Sequence, residues 1–385
     1  DAYASPSMTS IRHHRWSSSS RLLFSTAAAS GADVASSPSG STTAIKAESS
    51  TSTTTLTTPI TPTTISEENI TTRDLLSLDY IRSTLIRQEE TIIFALIERA
   101  QFRLNDVVYK VGGVPGLGVP PGSSSINSSP KSADGDGEEE QQEKLSFLDF
   151  MFIGTEALHS IVRRYESPEE HAFFPSRLPK RSNSLAELEY PDLLSNDNAI
   201  NQLNWNKILY EKYLNVVLPA ITEKGDDEQY GSTVLADIAA LQALSKRIHY
   251  GKFVAESKYR SNPTGFQQLV DDGDAEGVMK LLTNSAVEEQ VLTRARLKAR
   301  TYGREPSMSV TTNGEGGDCA AAKDEENEEE GKVDPLIIES IYRQLIIPMT
   351  KDIEVAYLFL RCGREPPAEF ASDRMSVDVT ELSPR

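Results

Sequence analysis

Residues 232–259 read STVLADIAALQALSKRIHYGKFVAESKY, the longest uninterrupted helical pattern in the chain. Ser232 follows Gly231 and is the N-cap candidate that opens it. On either side the same period returns. Between Asp74 and Phe102, Leu75, Leu78, Ile81, Leu85, Ile92, Leu96 and Ala100 recur at three, four or seven with charges between them, the signature of a long amphipathic helix. Leu145–Tyr165 and Ala199–Ile221 resume the spacing, and 263–302 reads as two or three shorter helices. Asp334-Pro335 is a cap followed by proline at the first helical position, so Leu336–Arg361 is a final long helix, bent at Pro348. No strand ladder and no fixed-period repeat is found. The expectation is all-α: a single helical-bundle domain of long helices.

Composition sets the boundaries of that domain. Residues 1–66 carry no apolar period; they are rich in Ser, Thr and Ala, hold Arg12, Arg15 and Arg21, and lack acids between Asp1 and Asp33. That is the composition of an organellar transit peptide. The chain opens on Asp1, and Met8 is a candidate start. Residues 67–362 form the expected domain, interrupted by disordered insertions at 112–144 and 305–332 and followed by a disordered tail, 363–385. Each insertion holds a run of six acids, so the formal charge of −18 is mostly theirs; without them 45 acids face 39 bases. This balance argues against a nucleic-acid surface built from bulk charge. No apolar run approaches the ~20 residues that span a bilayer. Cys319 and Cys362 cannot make a disulfide framework or a zinc site. A soluble protein in a reducing compartment is expected.

Phosphate loops, dinucleotide fingerprints, H-E-x-x-H and the G-x-S-x-G elbow are absent. The five His residues show no metal-ligand spacing, so neither cofactor nor metal is expected. What remains are ionisable residues on apolar helices. Arg247 and Lys258, eleven apart, fall on nearly one face, ~16 Å apart along the axis. Gly251 and Val254 lie between them and leave a concavity. Asn284 with Glu288, and Thr350 with Glu354, are i,i+4 pairs; Arg82 lies near the start of the first helix. Taken singly, each is equally readable as a solvated charge or an ordinary salt bridge, and the period names no substrate.

A resemblance does. Leu244-Ser245-Lys246-Arg247-Ile248-His249-Tyr250-Gly251-Lys252-Phe253-Val254-Ala255-Glu256 closely resembles the central helix of eukaryotic chorismate mutases, the all-helical class that converts chorismate to prephenate. Four further blocks agree in order: Asp79–Arg82 with Ile86–Glu90 and Ile92–Arg99; Arg163–His171 with Phe173-Phe174-Pro175; Thr283–Glu289; and Ile347–Leu358. The resemblance covers 74–103, 145–302 and 333–361. It implies that Arg82 and Arg247 bind the two carboxylates of chorismate, helped by Thr350. Lys258 and a protonated Glu354 would hydrogen-bond the ether oxygen, and Asn284 and Glu288 would hold the ring hydroxyl. It also implies a homodimer regulated by aromatic amino acids (Tyr, Phe or Trp), with Gly231 and Ser232 at a helix start meeting the effector carboxylate and Arg163 and Arg164 coming from the other subunit. Glu228 and Gln229 replace an asparagine pair of fungal members, Leu235 replaces a threonine, and Asp334 stands at a fungal switch threonine. With the transit-like leader, the resemblance points to the plastid, with the cytosol or mitochondrion as alternatives. A non-catalytic dimeric sensor of aromatic amino acids on the same fold is the second functional reading. A helical scaffold using its acidic insertions as partner tails is a third.

Overall fold

In the computed structural model, residues 75–117, 144–180, 190–195, 197–303 and 332–371 are described, all within one compact unit, Ile65–Arg385. The leader 1–66, most of both insertions and the tail beyond Ala371 lie outside these residues. The described chain is helical: α1 (Leu78–Arg99), α2 (Phe147–Ile161), α3 (Asn198–Asn201), α4 (Asn206–Lys212), α5 (Leu218–Ile221), α6 (Tyr230–His249), α7 (Gly251–Ser261), α8 (Pro263–Asp271), α9 (Ala275–Leu282), α10 (Ser285–Tyr302), α11 (Pro335–Ile341) and α12 (Ile347–Arg361).

Short polar side chains fix where most of these helices begin. The Ser77 hydroxyl accepts from the Tyr80 N–H at 3.3 Å and starts α1 three residues later than the apolar pattern does. Asn262, Asp274 and Asn284 cap α8, α9 and α10 in the same way, each accepting from an N–H three residues on. Asp334 accepts from the Leu336 N–H at 2.8 Å, with Pro335 as the first residue of α11. The start of α6 differs from the sequence reading. Ser232 sits inside the first turn, and Gln229 occupies the cap position without a side-chain bond. Asp227 sets this start instead, because its carboxylate accepts from the N–H groups of Gln229 and Arg103 and from the Asn105 amide.

The stretch 199–221 is also not one helix. Trp205 is fully buried and its backbone N–H donates to His249 Nε2 at 2.9 Å, so tertiary burial breaks the segment at 202–205, where no Pro or Gly marks the break. The bend expected at Pro348 lies upstream, as a π turn over Tyr342–Ile346. A second π turn, Tyr213–Val217, precedes Pro219 at the same offset. Proline clashes with the carbonyl four residues back, and the wider turn swings that carbonyl away.

The core is assembled by α1 packing along α6, α7 along α12, and α10 against α11. Ile92, Leu96, Phe152, Trp205, Leu241 and Ile353 are fully buried within it. Two buried ionic clusters fix the register. Arg99 and Asp237, both 0% exposed, pair at 2.6 Å, with the Tyr109 and Tyr213 hydroxyls donating to the same carboxylate. Glu256, on α7, accepts from Tyr357 and Arg361 of α12. Replacing one partner of such a buried pair costs about 3–5 kcal/mol, because the other charge is stranded.

Two sequence boundaries shift. Residues 112–117, placed in the first insertion, form turns in which the Gly112 N–H donates to Leu145 O at 3.1 Å. Residues 363–371, placed in the tail, stay packed. Gly363, at φ 77°, ends α12 and lets the Arg364 N–H reach Phe359 O, and Phe370 then packs against the core.

Candidate active site

α1, α6, α7, the α9–α10 junction and α12 enclose a cavity of about 350 Å³. All seven residues singled out by sequence line it: Arg82, Arg247, Lys258, Asn284, Glu288, Thr350 and Glu354. The 232–259 stretch supplies one wall, because α6 runs into α7 through Tyr250, whose φ and ψ (−63°, −14°) remain helical. That continuity keeps Arg247 and Lys258 facing one space.

Gly251 plays a different part from the one its size suggested. It does not line the cavity. A Cβ there would meet Thr350 O at 2.9 Å and Thr350 Cγ2 at 3.1 Å, so the glycine lets α7 and α12 approach closely. Glu256 ties the same two helices further along. Between these contacts Lys258 Nζ lies 3.5 Å from Glu354 Oε2 and also donates to Leu282 O.

Each polar group has a defined role in the geometry. Arg247 is buried; its Nη1 donates to Thr350 Oγ1 at 3.4 Å, while Thr350 donates to Ile346 O, and its Nε has no partner among the described residues. Burial lowers the pKa of this guanidinium. Asn284 spends its Oδ1 on the cap of α10, which leaves its Nδ2 to donate. Glu288 pairs with Lys351 at 2.8 Å. Arg82 is at the rim, 53% exposed, and pairs with Asp79 one turn before it. Burial raises the Glu354 pKa against the opposing pull of Lys258, Arg247 and Lys351. Lys351, which the sequence reading did not single out, also lines the cavity beside Thr350.

In all, four cations (Arg82, Arg247, Lys258 and Lys351) face two carboxylates, and apolar side chains such as Leu85, Val254 and Ile347 cover the rest. The excess of two positive charges, increased when Glu354 carries a proton, suits a small compact dianion.

The four effector-site candidates are not brought together within one chain. Gly231 and Ser232 are exposed in the first turn of α6. Arg163, at φ 69°, pairs with Glu166, and Arg164 binds Glu170, His159 and Gln242. Gln242 is ten residues beyond Ser232, about 15 Å along the helix axis. Glu228 and Leu235 are exposed near this helix start. A second cavity, of about 560 Å³, is lined by Arg164, Gln242, Lys246 and Gln88. Both amide atoms of Gln88 and the Nε2 of Gln242 are buried there without a partner among the described residues.

The fold is all-helical, and its cation-rich pocket suits a small dianion. Residues 230–355 match the family model for chorismate mutase type II. Over 289 residues the chain is 40% identical to a chorismate mutase of Trichoderma parareesei, covering 74% of this chain and 93% of the relative. It is 37% identical to chorismate mutase 1, chloroplastic, of Arabidopsis thaliana, covering 74% of each. Among solved structures it superposes on the Candida albicans chorismate mutase in complex with L-Trp with a TM-score of 0.61 and 32% identity, covering 78% of this chain and 98% of that one. The chain belongs to the chorismate mutase family.

Proposed function

We propose that the protein converts chorismate to prephenate in the cavity between α1, α6, α7, α10 and α12, and that the seven lining residues anticipated from sequence carry the reaction. The observation that carries this reading is the Lys258–Glu354 pair sharing with Arg247 a pocket of excess positive charge. The rearrangement is pericyclic: one C–O bond breaks, one C–C bond forms, and no bond to the protein is made. Catalysis then consists of holding the compact conformer and stabilising charge on the departing ether oxygen.

Arg247 with Thr350 takes one carboxylate, and Arg82, exposed at the rim, takes the other. Lys258 and Glu354 donate to the ether oxygen. Glu354 must carry its proton to do so, and burial favours that form. The free Asn284 Nδ2 donates to the ring hydroxyl, which donates in turn to Glu288. Neither a metal nor an organic cofactor has a role in these steps.

Regulation by tyrosine, phenylalanine or tryptophan is part of the proposal. The Candida albicans relative is solved with L-Trp, and Arg164 here borders a polar cavity with unpaired amide atoms. Separation of Arg163 and Arg164 from Gly231 and Ser232 within one chain supports a homodimer that joins them across its interface. The exposed Leu158, Ile161, Val162 and Leu235 offer apolar surface for it. A plastid location rests on the basic, hydroxyl-rich leader and on the chloroplastic plant relative, while the fungal relative is similarly close. Purified protein that consumes chorismate, forms prephenate and changes rate with added amino acid is the expected result. A folded protein without turnover would contradict the enzyme reading.

A further inference from the structure

We infer that Lys351 is a positioning residue: its ammonium holds the Glu288 carboxylate where the ring hydroxyl binds, and completes the positive charge that receives the dianion. This inference rests on the chorismate reading above. The cavity contains two Lys–Glu pairs. Lys258, on α7, meets Glu354, on α12, at 3.5 Å; Lys351, on α12, meets Glu288, on α10, at 2.8 Å. Only the base of the second pair lacks an assigned task. Both of its side chains are mostly buried, 23% and 29% exposed, and both line the cavity. Glu288 without Lys351 would be an uncompensated anion facing an incoming dianion, and its carboxylate would lose the partner that fixes its rotamer. The pair also bridges α12 to α10, so the hydroxyl-binding wall and the ether-binding wall are held in one register.

The same lysine bears on Glu354. Lys258 on α7, Arg247 on α6 and Lys351 on its own helix act on that carboxyl, and Glu288 on α10 and Arg82 on α1 line the same cavity. Lys351 is among the cations that lower the Glu354 pKa. Removing it therefore raises that pKa further, and the acid form persists to higher pH.

The test uses the full chain with chorismate as substrate and four variants: Lys351→Met, Lys351→Arg, Glu288→Gln and the Lys351→Met/Glu288→Gln pair. Lys351→Met is expected to raise KM roughly tenfold with a smaller change in kcat. It should also move the alkaline fall of kcat to higher pH, which a merely structural role would not do. Lys351→Arg should recover most of the KM. The double variant should bind chorismate better than Lys351→Met alone, because the stranded anion is gone. Losses that add in the double variant, or a KM within about twofold of wild type and an unmoved alkaline limb in Lys351→Met, overturn the inference. Wild-type turnover is the control: its absence breaks the functional reading and this inference with it, whereas turnover with an unaffected Lys351→Met breaks the inference alone.

Discussion

The catalytic cavity and the effector elements use the same long helix in different ways. The C-terminal end of α6 and α7 carry Arg247 and Lys258, and α1, α10 and α12 of the same chain bring the other charged groups that line the cavity among the described residues, with Gly251 and Glu256 holding α12 close to α7. At the N-terminal end, Gly231 and Ser232 are exposed; Arg164 binds Gln242 further along the helix instead, and Arg163 pairs with Glu166. A site closed within one chain can be read and tested in one chain. In the proposed dimer, a site split between the ends of a helix would be completed by a second copy.

The largest effect expected from breaking this contrast comes from Arg247→Ala. It should lower kcat/KM on the order of a thousandfold, since a buried guanidinium with no substitute is lost. Amino-acid binding, followed by calorimetry, should survive. Next is Gly251→Ala. Its new Cβ, 2.9 Å from Thr350 O, must push α12 away from α7, so kcat/KM should fall about a hundredfold while the helical circular dichroism is kept. Arg164→Ala should mainly abolish the response to tyrosine or tryptophan, with a far smaller drop in basal kcat/KM than Arg247→Ala gives. If it impaired both equally, the two regions would not be separable.

The smallest effect concerns stability where the two regions meet. Lys252 is buried on α7, contacts His171 of the Arg163–Pro175 segment at 2.7 Å, and has its pKa pushed down to about 7 by burial. An unfolded lysine titrates near 10.4. Between those values the unfolded chain holds more protons, so stability rises with pH from about 7 upward and is lost as pH falls back. Lys252→Met should flatten this slope in thermal melts across that range.

How much of this was legible follows from chain distance. The i,i+4 pairs Asn284/Glu288 and Thr350/Glu354, and the face shared by Arg247 and Lys258, obey helical spacing, so sequence displayed them; the resemblance supplied their chemistry. Lys351 was passed over because its partner, Glu288, belongs to a helix distant in sequence, and no spacing rule links the two. Pro348 announced a bend but not that it is absorbed by a π turn before the proline, and Pro219, read simply as part of a helix, is preceded by the same turn. The break at 202–205 carried no local signal, being caused by burial of Trp205 against His249. The misplaced cap at Ser232 has the same origin: Asp227, held by Asn105 from another part of the chain, outcompeted the local hydroxyl.

In the proposed mechanism Glu354 acts as a neutral acid beside Lys258. The most direct measurement is the pH dependence of kcat for chorismate from pH 5 to 9 in the wild type and in Glu354→Gln. The wild-type rate should fall as pH rises and Glu354 ionises, while Glu354→Gln, whose amide donates at any pH, should keep its alkaline activity. A Glu354→Gln profile that falls in parallel with the wild type would contradict the account.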